Sequence, residues 1–492
     1  MSVSFDYIPS ALRYPGAYIE VDGSAAGLSG GIGSVLLVGL KLSTGTAPVG
    51  EVTLVASVQD AKTKFGEGSM LHEMAERYRA IDQSLDLWAL PYTQNAGAVA
   101  AVGYINLQLV GSQTASGSLA IYINGNRVLV EISAGYLLQT VTDWVVDAIN
   151  EDGSLPVTAV ANSAGVVKLT AKTVGAVGNS IDLRTNLYGE QYPEGMQISI
   201  VAMSGGIDST TPGNLSAMLG QRWFNYVALG LNDDATMAAW HAESQRRYQP
   251  PIQAGFRVFA AHRGDYASAV AYGANKNYEH ISTLSLGINP VSTWEAAAIV
   301  AAAAAPKLRN NPVESLEGRA LTGLIGVSYH DWTQANSLLY KGMSVLQMTS
   351  DGSCSIKRLI SMYQYRPDGS ADDAYLDINT AEVMERIRYE QRIGAIQRFT
   401  GSAAAKTNEG YRPGLRITTE DSVRAYLLSL YQNVLMRELG WVQEYDYYKS
   451  TLVVEQDPSN PSRFNFVDQP VLLSPYYVMA GRAKFYKAVP QA

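Results

Sequence analysis

The chain reads as a multidomain α/β protein with an inserted α+β segment and an extended, β-prone arm at each end. Three observations predict this. Val35-Leu36-Leu37-Val38 is a continuous apolar run of the kind buried on both faces of a parallel sheet, and a helical stretch (69–84) and a second apolar run (87–90) follow it. Between 98 and 206 the texture changes to short alternating segments with turn signals, and after 207 alternating strands and helices return. Both chain ends lack periodicity but are rich in aromatic and β-branched side chains.

The elements follow in order. Residues 1–24 form an arm: Pro9 and Pro15 oppose helix, while Phe5, Tyr7, Tyr18 and Ile19 suit a strand. A glycine-rich stretch (Gly23, Gly27, Gly30, Gly31, Gly33) opens the first part of the α/β domain, 25–97. The insert, 98–206, offers strands over 119–123, 127–132, 157–160 and 166–170 and a helix over 140–150, with Asn124-Gly125 as a hairpin turn. It carries four basic against eight acidic side chains, half of the net charge of −8. In the core, 207–376, strands are expected over 256–261, 281–286, 324–327, 345–349 and 355–363, with a helix over 266–277. The box Ser292-x-x-Glu295 starts another helix at Thr293, expected to stop at Pro306. In the C-terminal domain, 377–450, one helix is expected to be capped by Asn379 with Glu382 three residues on. A second, over 420–439, puts Val423, Tyr426, Leu427, Leu430 and Val434 on one face and ends at Gly440. Extended segments are expected over 445–454, 463–467 and 476–486, so 451–492 reads as strands and a closing arm.

At 492 residues and roughly 150 per domain, about three domains are expected. Apolar residues make up 47% and charged residues 17%, below the roughly 25% of ordinary globular chains. A net charge of −8 argues against nucleic-acid binding, because neutralising phosphates needs surplus Lys and Arg. Cys354 is the one cysteine, which excludes an internal disulfide and a cysteine zinc site. No basic-then-apolar leader opens the sequence, and the alanine-rich run 296–305 is too short to span a membrane. Tyrosine is the outlying count, 30 against 9 Phe, and suits surfaces wet before assembly and buried after it.

Little in the sequence points to chemistry, and no cofactor is expected. Gly31 and Gly33 precede the first strand instead of following it, which is the wrong order for a phosphate loop. His72, His241, His262, His280 and His330 show no metal-binding spacing. His330-Asp331 and His262 near Asp265 could seed a hydrolase triad, but no serine sits in a strained elbow. The helix after Asn379 carries Arg386, Arg388, Arg392 and Arg398 against Glu382, Glu385 and Glu390, either a solvated face or a partner-binding one. The arms expose backbone groups that must find a sheet edge, on their own chain or on a neighbour. A neighbour contact that does not close on itself builds a helical tube.

Several stretches together resemble the sheath proteins of contractile phage tails, in particular the Mu-like group. They are FGEGSML at 65–71 followed by Leu87-Trp88, VGNSIDLRTN at 177–186, ADDAYLDINT at 371–380 and LVVEQDPSNPSRFNF at 452–466. They span nearly the whole chain in the family's order. The resemblance implies a core of subtilisin-like topology without catalysis, stacked hexameric rings around a tail tube, and arms that add strands to neighbouring subunits. It carries Val3, Phe5, Ile8, Leu452, Val453, Val454, Phe464, Phe466, Val478 and Phe485 into those arm contacts, and the four arginines above into a possible tube contact. The implied partners are further copies of the chain, the tube protein, and baseplate and tail terminator proteins, without direct nucleic-acid contact or membrane insertion. The implied location is the virion tail, assembled in the host cytoplasm. A serine hydrolase of the same topology and a self-assembling surface-layer or shell protein are the alternatives.

Overall fold

The computed structural model describes residues 33–485 apart from 93–94, 111–114, 209, 410 and 413. The chain enters at the centre of its main sheet with β1 (Val35–Leu40), every residue of which is buried. Two elements not anticipated follow, the two-residue strand β2 (Thr53–Leu54) and helix α1 (Val58–Phe65). Ser69 caps α2 (Met70–Ile81) by accepting from the His72 N–H, and β3 (Leu87–Tyr92) lies parallel to β1. The chain then leaves the sheet. β4 (Val102–Leu109), the hairpin β5 (Gly117–Ile123) and β6 (Asn126–Ile132), helix α3 (Leu138–Glu151), β7 (Val157–Ser163), β8 (Val166–Ala171), β9 (Leu183–Thr185) and β10 (Met196–Ser204) form two antiparallel sheets, ordered β10-β4-β8-β7 and β6-β5-β9. Asn124 and Gly125 turn the β5–β6 hairpin with φ of 52° and 80°, the paired left-handed conformation that this dipeptide favours.

The chain returns through α4 (Leu215–Leu219) to β11 (Tyr226–Leu229), on the other side of β1. Right of way then passes outward through α5 (Asp234–Tyr248), β12 (Arg257–His262), α6 (Tyr266–Ala274), β13 (Ile281–Ser285), α7 (Thr293–Asn310), α8 (Trp332–Leu339), β14 (Met343–Met348) and β15 (Cys354–Arg358). The eight strands are ordered β15-β14-β13-β12-β11-β1-β3-β2, with six parallel strands flanked by antiparallel β15 and β2. The alanines of α7 are buried against this sheet, and their small side chains let the helix approach closely.

Two expectations fail in this body. Helix α7 continues through Pro306 to Asn310. The proline withholds an N–H only from the Ala302 carbonyl, and buried Leu308 holds the turn beyond it. Residues 324–327 form no strand: the Ile325 carbonyl accepts from the Asn289 side chain at 2.8 Å, and the Gly326 N–H donates to the Gly352 carbonyl.

The C-terminal unit begins with α9 (Ile378–Phe399). Its start differs from expectation, since Asn379 lies inside the helix and donates to the Pro312 carbonyl at 2.6 Å instead of capping. A minimal parallel pair follows, β16 (Ala403–Ala404) with β17 (Ile417–Thr418). Thr419 and Ser422 box the start of α10 (Glu420–Ser429), which runs on as a π-helical segment (Leu430–Glu438). β18 (Val442–Gln443) leads to α11 (Tyr445–Thr451), a helix where an extended segment was expected. The hairpin β19 (Val453–Gln456) and β20 (Phe464–Val467) follows, then β21 (Val471–Leu472), which pairs with β18. Residues 473–485 form neither helix nor strand, against the expected strand over 476–486.

The parallel strands give the body two distinct ends. The segment between β3 and β11 sits at their C-terminal ends. There Arg263 reaches the Ser180 carbonyl at 2.8 Å and pairs with Asp182, and Asn124 donates to Glu295 in the first turn of α7 at 2.5 Å. The C-terminal unit sits at the N-terminal ends, where Arg257 of β12 donates to the Ala381 carbonyl of α9 at 2.6 Å. Gly33 enters at this same end, held by the Asn225 side chain at 2.7 Å.

Candidate assembly surface

The joint between body and C-terminal unit is a buried polar seam. Glu382 accepts from Arg386 and from the Tyr226 hydroxyl, both at 3.0 Å, and lies 3.6 Å from Arg257. Arg257 also donates to His280 Nδ1 at 2.8 Å. Burial first, then the Arg257 charge, holds the His280 pKa well below its usual value, so this ring is neutral and accepts. Arg388 donates to the Tyr248 carbonyl at 2.6 Å and to Glu385 at 2.5 Å, with its guanidinium over the Tyr248 ring. Arg386 and Arg388 are thus tied into their own chain. Arg392 lies against Tyr389, and Arg398 is exposed near the end of α9.

Beyond the seam the unit has a small core of its own: Val383, Ile387, Leu427, Leu430, Leu435, Trp441, Leu452 and neighbours. At its centre the rings of Tyr431 and Tyr448 stack at 3.7 Å. That stack is the reason 445–451 coils into a helix: coiling turns Tyr448 inward, where its hydroxyl also reaches Asp468 at 3.2 Å. Arg424 holds the far end of α11 through the Leu452 and Lys449 carbonyls.

The residues expected to make arm contacts fall into three groups. Leu452 is buried in the unit's own core. Val453, Val454, Phe464 and Phe466 form the β19–β20 hairpin, in which Val454 faces Phe466 and the turn is closed by Asp457 accepting from Ser459 and Asn460. Val478 and Phe485 lie on the unpaired tail and are 78% and 85% exposed. Val3, Phe5 and Ile8 lie outside the described residues. Among the described residues the ladders β18–β21 and β19–β20 have two strands each, so every strand pairs along one edge only. Val453 and Val467 remain more than half exposed on the hairpin.

The tail has one anchor that the sequence does not signal. Tyr477 stacks with the Arg358 guanidinium 4.5 Å from its ring centre, beside Ser315 and Asp377. A lone tyrosine in an aperiodic segment carries no pattern, and its partners come from three distant stretches.

The two histidines that the sequence raised beside aspartates each meet a serine, but without those aspartates as a third member. Ser285 Oγ lies 3.0 Å from His330 Nε2 and Ser268 Oγ lies 3.1 Å from His262 Nε2. The carboxylates of Asp331 and Asp265 instead cap α8 and α6, accepting from the backbone of Gln334 and Ser268. Neither therefore orients an imidazole. At the C-terminal ends of β1 and β11, where open α/β sheets ordinarily bind ligands, the sulfurs of Met70 and Met74 pack against Gly39 and Gly230.

Residues 209–362 match the central domain of phage tail sheath proteins. Over 490 residues the chain is 30% identical to the Mu-like prophage FluMu tail sheath protein of Haemophilus influenzae, covering 99% of this chain and 100% of that one. The chain belongs to the phage tail sheath family. Sheath proteins of contractile tails are structural, not enzymes, in keeping with serine–histidine pairs that lack an orienting acid. Among solved structures, the sheath tail protein of Desulfitobacterium hafniense aligns with a TM-score of 0.46 at 14% identity, over 93% of this chain and 100% of that one. A chain of the anti-feeding prophage baseplate aligns with a TM-score of 0.45 at 13% identity, over 97% and 100%. The sheath motifs of the sequence mark joints of this fold. VGNSIDLRTN supplies Ser180 and Asp182 to Arg263, ADDAYLDINT leads into α9, and LVVEQDPSNPSRFNF is the β19–β20 hairpin.

Proposed function

We propose that this sheath subunit polymerises as stacked hexameric rings around a tail tube and contracts to drive the tube through the host envelope. The observation that carries the reading is the set of two-stranded ladders at the N-terminal end of the sheet, each with a free edge. Two-stranded ladders are marginal alone and gain from a third strand. Arms supplied by neighbouring subunits, residues 1–24 from one end and the exposed tail from the other, are the strands that fit, and strand addition is a recurrent mode of association. Contraction then moves the body and the C-terminal unit as rigid blocks while the added strands hold. The driving energy is surface buried in the contracted packing, summed over many subunits.

In this reading 25–97 and 207–376 form a core of subtilisin-like topology and 98–206 an inserted domain on the outside of the sheath. The C-terminal unit, 377–450 with the strands that follow, faces the tube, and Arg392 and Arg398 are the side chains left to meet it. Baseplate and tail terminator proteins bound the polymer in a virion tail assembled in the host cytoplasm.

Deleting residues 1–20 tests the reading. The truncated chain is expected to stay a folded monomer by circular dichroism and to form no tubes in negative-stain electron microscopy. Tubes of normal length from that protein would rule out the arm mechanism, and flat sheets or closed shells from the full chain would point to another kind of assembly.

A further inference from the structure

A groove of about 770 Å³ runs beside the tail anchor, between the end of α8 and the segment 358–376. Leu339, Tyr340, Ile360, Tyr363, Tyr365 and Leu376 give it an apolar, aromatic lining. Arg358, Arg366, Asp372 and Asp373 are its charged lining residues, and the stretch that walls it is acidic. The stretch 366–377 holds Asp368, Asp372, Asp373 and Asp377 against the single base Arg366. Asp377 pairs with Arg358, and Asp372 with Arg366 and the Tyr363 hydroxyl. Asp368 and Asp373 are exposed and carry no ion pair among the described residues. The groove is an aromatic trough with the unpaired Asp373 carboxylate in its lining, and Asp368 stands on the turn between the lining residues Arg366 and Ala371, where it accepts from the Ser370 N–H and hydroxyl.

The chain after Tyr477 has the complementary chemistry. It reads Val478-Met479-Ala480-Gly481-Arg482-Ala483-Lys484-Phe485 and continues to Ala492 with Tyr486, Lys487 and Val489. Arg482, Lys484 and Lys487 are its charged residues, and it has no Asp or Glu. Val478, Met479 and Phe485 are all more than three-quarters exposed, a run of bare apolar side chains that the body nearby does not cover. Tyr477 seats on Arg358, and Arg358 is itself part of the groove lining. The tail is therefore already fastened at the groove's mouth.

We infer that this groove is the docking site of the chain's own C-terminal segment, residues 478–492, in the free subunit. Three observations select this occupant. The anchor at Tyr477 makes docking intramolecular, so the local concentration of the tail is on the order of millimolar without any partner. Fifteen residues extend at most ~50 Å at ~3.3 Å each, ample to line the trough. The tail's composition, three basic residues and no acid, complements the acidic stretch 366–377 with its unpaired Asp373, while its apolar residues match the tyrosines and leucines inside. Docked, the tail is covered and unavailable to a neighbour. The consequence for polymerisation, that the tail must leave the groove before it can be donated, rests on the sheath reading above, but the docking itself does not.

Chemical cross-linking tests it. In full-length protein with Cys354→Ser, Ala371→Cys on the groove wall and Phe485→Cys on the tail are joined by a short bismaleimide. Monomeric protein is expected to cross-link within one chain. The yield should fall at least about twofold in 1 M salt, where charges are screened beyond ~3 Å, and again with Asp368→Asn and Asp373→Asn or with Arg482→Gln and Lys484→Gln. A yield that neither salt nor these substitutions move would overturn the inference. So would cross-links that appear only when the two single-cysteine proteins are mixed, which would make a second copy the occupant. Salt-sensitive cross-linking whose yield is the same in monomer and in assembled protein would count against tail donation in the sheath reading and leave the groove assignment standing.

Discussion

The main sheet and the C-terminal unit use the same materials, strands with one or two apolar faces, and end their sheets in different ways. The outer edge of β15 is covered by its own chain: the Gly318 N–H donates to the Ile356 carbonyl at 2.8 Å, and the Ile356 N–H donates to the Arg319 carbonyl at 2.9 Å. At the other side β2 is only two residues long, and a short edge strand is a poor template for another chain. Among the C-terminal ladders β18–β21 is as short as β2, but the β19–β20 hairpin, with four-residue strands, has neither device. These ladders stop at two strands, keep Val453 and Val467 in solvent, and depend on a small core centred on two stacked tyrosines. A sheet with closed edges is complete within one chain, whereas one with open edges needs further strands. The difference separates a sheet that is closed within the chain from ladders that could accept a further strand under the proposed assembly.

Trp240 lies fully buried against Phe256, with ring centroids 5.8 Å apart, in the body core. Trp240→Ala is expected to cost ~3–5 kcal/mol in chemical denaturation. It should lower the protection of β11–β13 against hydrogen exchange along with everything else.

Tyr448→Ala removes half of the stack in the C-terminal unit and is expected to cost ~3 kcal/mol there. Hydrogen exchange should rise in α10, α11 and the β19–β20 hairpin while β11–β13 stay protected. Equal loss in both regions would mean that the polar seam makes them one cooperative block.

Glu73 supplies a pH test inside the body. Its carboxylate accepts from Trp294 Nε1 at 2.7 Å, and the groups around it are Glu295, Arg77 and Glu76. Burial first, then the Glu295 charge, raises its pKa well above the usual 4.5. The folded chain therefore holds a proton that the unfolded chain releases, and stability falls as pH rises from 4.5 toward the folded value. Glu73→Gln keeps the acceptor for Trp294 and removes this penalty. Thermal unfolding should show a higher Tm than the parent at pH 7 and the same Tm well below pH 4.5. A gap that is constant with pH would contradict the assignment.

Val453→Thr is the mildest change. The side chain is more than half exposed and the shapes match, so monomer stability should shift by no more than about 0.5 kcal/mol. Tube yield in electron microscopy should nevertheless drop, because the same contact repeats in every subunit. Unchanged tubes would remove this edge from the assembly surface.

Much of the body is legible in the sequence. The run Val35–Val38 needs burial on both faces, the Ser292 cap starts α7 where expected (although Glu295 accepts from the Ser292 hydroxyl and not from its N–H), and Asn124-Gly125 turns its hairpin. These signals are local, since each residue's own conformational preference decides them. The four arginines of α9 could not be sorted that way. In the sequence they are alike, but Glu382, Glu385, Tyr226 and Tyr248 draw two of them inside. The tyrosine excess divides in the same manner: Tyr78, Tyr226, Tyr431 and Tyr448 are core residues, whereas Tyr188, Tyr340 and Tyr476 remain in solvent.

By itself, then, the sequence determined the layered α/β body, the antiparallel segment within it, the ends rich in strand-forming residues and the family, because period, caps and turn chemistry are written in neighbouring residues. Only the tertiary structure decided that α7 passes through Pro306, that 445–451 is a helix, which ladders keep a free edge, and that Tyr477 meets Arg358. Each of those outcomes depends on groups far apart in the chain, and burial and pairing at such distances outweigh the ~1 kcal/mol by which local preferences differ.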